Sequence, residues 1–261
     1  MNRSDLLYKT FTSLGFPFSY ECIGLPHIRV RDPAIFVSNH LASMGPVQMV
    51  LSLPIRLYPW VMAEMLDFQR APQYLYDDFI RPGLHLQGRF GFFVSRIISR
   101  LAVRLLNDIG SIPIDRSQGV FMEPYRRSLD LLCQGKNLLI FPEDSKLPLE
   151  PVSNMRPFMR GFVFLSPMYY RQTGLPLPFY PVAVSSHTNK IAIAKPLYYD
   201  LRHGHDREAI AQFCDLLQNK IKTMYSYLQK TKAIRIDDIP FLFGQEMPDE
   251  EELAEVKVGN R

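Results

Sequence analysis

The chain has 261 residues, of which 47% are hydrophobic and 21% charged, so it can bury a sizeable core and a wholly disordered chain is excluded. Its charge is unevenly distributed: the last 17 residues, from Gln245 on, hold six acids and two bases, which leaves 28 bases against 20 acids in the rest. A basic body predicts an anionic partner, such as a phosphate, a membrane surface or a nucleic acid.

Short apolar runs alternate with amphipathic stretches along the chain, which is the pattern of a layered α/β domain. Strands are predicted at 34–37, 57–63, 111–114, 138–141, 180–184 and 191–194. Helices are predicted at 90–108, 122–134, 158–170 and 207–228. In open α/β sheets the chemistry usually lies just beyond the strand ends. Those positions hold His40, Arg116 and Glu143.

The uncharged segment 33–55 is long enough to cross a bilayer. It carries a polar cluster near its middle, however, and unsatisfied polar groups in lipid cost several kcal/mol. A buried globular segment is therefore expected. The three cysteines, Cys22, Cys133 and Cys214, are widely spaced and odd in number, so free thiols in a reducing compartment are expected.

The predicted helix at 90–108 has an arginine-rich face. Arg89, Arg96, Arg100 and Arg104 fall in one sector of the helix, next to a sector of large apolar side chains, and no acid occurs between Arg81 and Asn107. A basic amphipathic helix can lie in a membrane interface with its arginines meeting anionic headgroups. An ordinary surface helix with a solvated basic face is the alternative.

Three segments that follow predicted strands carry residues suited to chemistry. His40 follows the first strand, and an imidazole at a strand end can act as a general base. Arg116 ends the segment that begins at Gly110, where a guanidinium suits bidentate phosphate recognition. Glu143, Ser145 and Lys146 supply an acid, a hydroxyl and a cation after a third strand.

Together these segments resemble the glycerophospholipid acyltransferases, the superfamily of glycerol-3-phosphate and lysophosphatidate acyltransferases. The resemblance covers about Val30 to Leu228. It implies the fold of that superfamily, which is a single layered α/β domain with a mixed, mostly parallel sheet flanked by helices. The matching blocks, in chain order, are Asn39-His40, Gly110 to Arg116, Phe141-Pro142-Glu143 and Tyr180 to Val184.

The sequence departs from the family pattern at two places. The family has an aspartate five residues after the histidine, and that position is Gly45 here. Its Gly-Thr-Arg is replaced by Asp144-Ser145-Lys146, which keeps a hydroxyl and a positive charge but loses the bidentate fork. In serine proteases, replacing the aspartate that orients the histidine lowers kcat by roughly 10⁴. Water, Glu64 or Asp67 could take its place here.

The resemblance implies a role for each site residue. His40 is the implied catalytic base, which takes the proton of an acceptor hydroxyl as that hydroxyl attacks a thioester. Arg116, assisted by Lys146, is implied to hold the acceptor's phosphate. Glu143 is implied either to position the acceptor hydroxyl or to brace the loop. Asn39 and Ser145 complete the implied substrate-binding set.

The implied acyl donor is acyl-CoA or an acyl carrier protein, the implied acceptor is a lysophospholipid or a glycerol phosphate, and no separate cofactor is expected. No metal is expected either, since the other histidines lack partners at ligand spacing. Nucleic acid is not expected as a partner, because no aromatic platform is interleaved with the basic residues. The prediction is a membrane-associated enzyme of phospholipid biosynthesis, cytoplasmic and peripheral at the inner membrane surface.

The predicted organisation is an N-terminal helical or interfacial segment at 1–29, an acyltransferase-like domain at 30–235 and an acidic tail at 236–261. Two other functions remain open. One is a catalytically impaired homologue that binds phosphorylated lipid or a membrane surface, which Gly45 favours. The other is an acyltransferase whose acceptor lacks a phosphate, such as an amino-acid-derived lipid. The presence of Asn39, His40, Arg116 and Glu143 together favours an active enzyme.

Overall fold

The computed structural model describes residues 8–10, 12–13, 19–29, 32–40, 44–115, 122–151 and 153–230. Arg116 and the predicted acidic tail at 236–261 lie outside these residues. No helix within the described ranges is long and apolar enough to span a bilayer.

The described residues form one eight-stranded sheet. Its strands run in the spatial order β1-β7-β6-β2-β5-β3-β4, and β8 pairs with β6. The strands from β6 to β4 in this order are mutually parallel, whereas β7 and β8 run antiparallel to β6. The strands are β1 (Glu21–Ile23), β2 (Ile35–Ser38), β3 (Leu57–Met62), β4 (Ile112–Ile114), β5 (Asn137–Ile140), β6 (Pro178–Ser185), β7 (Lys190–Ile193) and β8 (Leu197–Tyr198).

Helices cover both faces of this sheet, so its central strands are buried and mostly apolar. Successive residues of a strand point to opposite faces. Ile35 and Val37 accordingly belong to one buried cluster, while Phe36 belongs to the other. The helices are α1 (Met44–Ser52), α2 (Ala71–Leu75), α3 (Gly88–Asp108), α4 (Met122–Cys133), α5 (Leu165–Thr173) and α6 (Arg207–Lys230).

The fold class predicted from the sequence is confirmed: a mixed, mostly parallel sheet flanked by helices. One local prediction differs from the structure. The helix predicted at 158–170 begins later, because Phe158 pairs with Glu143 in an antiparallel bridge and Gly161–Phe164 forms a 3-10 turn before α5. The structure also contains a short strand that was not predicted, β1, which pairs in parallel with β7.

Candidate active site

Asn39 fixes the end of β2 against β6. The residue is 2% exposed. Its Nδ2 donates to the carbonyl oxygen of Val184 at 3.0 Å, and the Val184 N–H donates to its Oδ1 at 2.8 Å. The amide that the resemblance implies to bind substrate is therefore engaged by the protein backbone. Asn39 supports the site by holding the strand that carries His40.

His40 follows Asn39 at the carboxyl end of β2, and its side chain is exposed. Its ring lies edge-on to the ring of Phe141, with 5.3 Å between the ring centroids and 78° between the planes. Phe141 directly follows β5, the strand paired with β2. The imidazole is thus placed beside an apolar wall and remains accessible to a reacting hydroxyl.

The Glu143 carboxylate joins two segments that are distant along the chain. It is 7% exposed. Its Oε1 accepts from the backbone N–H of His40 at 2.7 Å, and its Oε2 accepts from the backbone N–H of Arg156 at 2.9 Å. Hydrogen bonds to a charged acceptor are stronger than neutral ones. Of the two roles implied for Glu143, the geometry matches bracing, because one oxygen holds the backbone of His40 and the other holds that of Arg156.

The loop after Glu143 is a tight turn. The Asp144 side chain accepts from the backbone N–H of Lys146 at 3.0 Å, and the Leu147 N–H donates to the Asp144 carbonyl at 3.1 Å. Aspartate commonly closes turns in this way. Its carboxylate is thereby directed into the turn, while the Ser145 and Lys146 side chains are exposed near His40's end of the sheet.

A strap at 156–158 runs alongside this loop and was not identified from the sequence. Gln218 of α6 holds it: Nε2 donates to the Arg156 carbonyl at 3.1 Å, and the Phe158 N–H donates to Oε1 at 3.2 Å. The Arg156 guanidinium is half-buried, and its Nε donates to the Leu147 carbonyl at 2.9 Å. The structure thus adds a cation beside the turn that follows Glu143.

The second block of the resemblance reaches the same edge of the sheet, although Arg116 itself is outside the described residues. β4 precedes it and runs parallel to β3, which separates it from β5. At about 4.8 Å per strand, β4 lies roughly 14 Å from β2 across the sheet. The structure thus brings His40 and Glu143 into contact, whereas Arg116 is outside the residues that it describes.

The carboxylates suggested as substitutes for the missing aspartate both interact with Arg70. Its Nη1 lies 3.9 Å from Glu64 Oε1, and its Nε lies 3.4 Å from Asp67 Oδ2. A hydrogen bond from the Gln69 backbone N–H lowers the pKa of Asp67. Each carboxylate thus has a cationic partner other than the imidazole.

Gly45 is the second residue of α1, the helix that begins just after His40. Its backbone is helical, a conformation that residues with side chains also adopt. Among the residues that the structure describes, no group of histidines, cysteines and acids has the arrangement of a metal site.

Comparisons with known proteins support the fold. No family model matches the chain, and no curated protein sequence matches it. A solved structure similar to it is the 1-acyl-sn-glycerophosphate (LPA) acyltransferase PlsC from Thermotoga maritima. The likeness has a TM-score of 0.51 at 14% sequence identity, and it covers 88% of this chain and 81% of the PlsC chain. At this identity the likeness shows that the chain has the fold of that acyltransferase.

Proposed function

We propose that this protein is an O-acyltransferase that moves a fatty acyl group from acyl-CoA or an acyl carrier protein to the hydroxyl of a lysophospholipid or glycerol-phosphate acceptor. One observation carries the proposal. The Glu143 carboxylate, buried at the carboxyl edge of the sheet, accepts at 2.7 Å from the backbone of an exposed histidine 103 residues away. The fold shared with a lysophosphatidate acyltransferase supports it.

The reaction follows from the position of His40. A ring nitrogen takes the proton of the acceptor hydroxyl as its oxygen attacks the thioester carbonyl carbon. The carbon–sulfur bond of the resulting intermediate then breaks, and the leaving thiolate takes the proton from the imidazolium. The products are an ester and a free thiol. Glu143 acts by fixing the backbone that carries the imidazole, since a base must be held within hydrogen-bonding reach of the proton it removes.

The acceptor's phosphate is assigned to the basic groups around this edge. Lys146 and Ser145 are exposed on the turn after Glu143, and Arg156 lies on the neighbouring strap. We add Arg116 to these phosphate-binding groups because the segment that it ends, Gly110 to Arg116, resembles the second block of the family pattern. A guanidinium and an ammonium together neutralise a dianionic phosphate, and the arginine adds a planar, bidentate geometry. We propose that the protein works at the cytoplasmic face of a membrane, since a lysophospholipid acceptor and the acylated product are both lipids.

The proposal is tested by a thiol-release assay with acyl-CoA or acyl carrier protein as donor. The acceptor panel contains lysophospholipids, glycerol phosphate and an amino-acid-derived lipid without a phosphate. We expect thiol release that depends on a phosphorylated acceptor, together with a lipid product carrying one more acyl chain. Thiol release with only the phosphate-free acceptor would instead indicate an acyltransferase whose acceptor lacks a phosphate. No acceptor-dependent release from a folded protein would contradict the proposal.

Gly45 favours a second candidate, a homologue that binds phosphorylated lipid without efficient turnover. In the family pattern the residue at this position orients the histidine, and here it has no side chain to do so. This candidate predicts saturable binding of a lysophospholipid without thiol release. The same assay, run beside a binding measurement, separates the two functions.

A further inference from the structure

Helix α3 exposes four large apolar side chains, whereas the residues that it buries fully are mostly small. Its buried residues are Gly91, Ser95, Ser99 and Val103, spaced four apart on one face. This face packs on α2, where the Ser95 hydroxyl donates to the Pro72 carbonyl. A surface helix of a globular protein ordinarily has the opposite arrangement, with its large apolar residues towards the core.

The outward face of α3 forms an exposed apolar stripe. Its four members, spaced by three or four residues, are between 49% (Ile97) and 69% (Leu101) exposed. At about 100° per residue they fall within a sector roughly 80° wide. Apolar residues scattered singly on a surface need no explanation, but a contiguous patch marks an interaction site. The stripe consists of Phe90, Phe93, Ile97 and Leu101.

Four exposed arginines accompany this stripe: Arg89, Arg96 and Arg100 line one side of it, and Arg104 follows Leu101 at its end. Within the described part of the chain, none of them pairs with a carboxylate. Arginine binds phosphate in a bidentate geometry. An apolar stripe bordered by these arginines matches an anionic phospholipid surface. The stripe would contact the acyl chains, and the arginines would contact the phosphates.

A shallow groove of about 550 Å³ lies at the amino-terminal end of this helix. Aromatic rings and two of the arginines form its walls, so it combines an apolar surface with guanidinium groups. This concavity therefore continues the pairing of apolar groups with guanidinium groups that is seen along the stripe. Its lining residues are Tyr76, Gly88, Arg89, Phe92, Phe93 and Arg96.

We infer that α3 is the membrane-docking element of this protein, lying parallel to an anionic phospholipid surface with the apolar stripe inserted and the arginines on the headgroups. The occupant is a lipid surface because both of its chemistries, apolar chains and closely spaced phosphates, are matched side by side on one helix. This inference deepens the proposed function and rests on it, because the proposed lipid acceptor is the reason to expect a phospholipid membrane. Lipid binding can nevertheless be measured without any turnover.

The test is flotation of the full chain with vesicles of phosphatidylcholine, with and without phosphatidylglycerol. We expect binding to the anionic vesicles that is reversed by high salt, since screening weakens surface charge attraction. The variant Phe93→Ser/Leu101→Ser should bind at least about tenfold more weakly. The matched control, Leu175→Ser/Leu216→Ser, removes two exposed leucines elsewhere and should bind as the unchanged protein does.

The arginines are tested separately. Arg96→Gln/Arg100→Gln/Arg104→Gln should weaken binding to anionic vesicles by about a hundredfold, because each cation near such a surface contributes about a fivefold factor. The control Arg127→Gln/Arg171→Gln/Arg207→Gln makes the same change in net charge at exposed positions on α4, α5 and α6. Equal loss in the two triple variants would reduce the effect to net charge and overturn the inference.

Two other occupants of the stripe give different results. If a second copy of the chain covers it, the protein elutes as a dimer that Phe93→Ser/Leu101→Ser converts to a monomer, and vesicle binding does not depend on the stripe. If the acidic residues 236–261 cover it, vesicle binding is likewise unaffected by both sets of substitutions. Either result overturns the docking inference. Loss of vesicle binding in the α3 variants, with no thiol release from any of these proteins, would uphold docking while contradicting the proposed activity.

Discussion

The Glu143 carboxylate accepts hydrogen bonds from two backbone amides, those of His40 and Arg156. Glutamine at this position retains one acceptor oxygen and turns an NH₂ donor towards the other amide. One buried N–H then loses its partner, at a cost of about 1–3 kcal/mol. We expect Glu143→Gln to lower the free energy of unfolding by this amount and to lower kcat, because the backbone beneath the imidazole is released.

Urea unfolding and the thiol-release rate measure these two effects. The control is Glu123→Gln, which removes an exposed carboxylate paired with Arg126 and should change stability by less than about 1 kcal/mol. If Glu143→Gln were as stable and as active as the unchanged protein, the bracing role would be wrong.

Gly45 is the position at which the family's aspartate is missing, and its backbone is helical. A carboxylate in the first turn of a helix is stabilised by about 0.3–1 kcal/mol. We therefore expect Gly45→Asp to be tolerated. If the new carboxylate orients the His40 imidazole and stabilises its protonated form, kcat should rise by between about tenfold and the roughly 10⁴ of the serine-protease analogy.

Gly45→Asn is the matched control, since it adds a side chain of the same shape without the charge. Rates and thermal stability are measured for both variants. A stable Gly45→Asp protein with no gain over Gly45→Asn would favour the lipid-binding homologue over the enzyme. A fall in an existing activity would indicate that another group already supports the histidine.

The three cysteines should differ in reactivity, because the thiolate is the reactive form. Burial raises the pKa of Cys214 to about 12 and that of Cys22 to about 11. Cys133 is exposed, and its pKa is raised by partial burial and by Asp130. With a disulfide reagent at mildly alkaline pH, we expect Cys133 to react first in the native protein and the other two only after denaturation.

The progress curve of that reaction is the measurement. Cys133→Ser should remove its fast phase. A fast phase that persists in this variant would mean that Cys22 or Cys214 is more accessible than the structure indicates. Cys133→Ser is also a useful background for thiol-release assays that use the same reagent.

At the scale of elements, the two hydrogen bonds between Asn39 and Val184 extend the contact of β2 with β6 beyond the ladder. Asn39→Asp replaces the donor by a second acceptor, which then faces the Val184 carbonyl oxygen. A buried charge without a donor is costly, so we expect a loss of about 2 kcal/mol or more in the free energy of unfolding.

Denaturant unfolding tests this contact. Asn219→Asp is the control, because Asn219 is exposed on α6 and the same change there should have little effect. Similar stability of the two variants would show that the Asn39 amide contributes little to holding the strand end. Activity lost with Asn39→Asp while stability is kept would instead assign Asn39 to substrate.

The elements that sequence could predict are those with a local signal. The apolar run before His40 and the run before Glu143 identify two strand ends, and β2 and β5 are indeed neighbours. The strap at 156–158 has no such signal, because Gln218, which holds it, lies 62 residues from Arg156 along the chain. Such contacts depend on hydrogen bonds between segments that are distant along the chain, and the periodic pattern of apolar residues does not reveal them.

At the scale of the molecule, the alternation of strands and helices predicts the α/β class, and the sheet confirms it. The order of the strands depends on pairings between remote segments. β1 illustrates this: three residues are too few for a periodic pattern, and pairing with β7 alone makes Glu21–Ile23 a strand. The site was predicted in part, since His40 and Glu143 meet while the described structure does not include Arg116.

In the proposed acyl transfer, the parallel sheet positions His40 as the base. The most direct measurement is acceptor-dependent thiol release by His40→Ala beside the unchanged protein, with circular dichroism and lysophospholipid binding recorded for both. Because His40 is exposed at a strand end, its loss should leave folding and binding intact. We predict that turnover falls by about a hundredfold or more, as loss of a general base should cause. Turnover within about tenfold of the unchanged protein would contradict the account, since general-base catalysis contributes 10²–10⁴-fold.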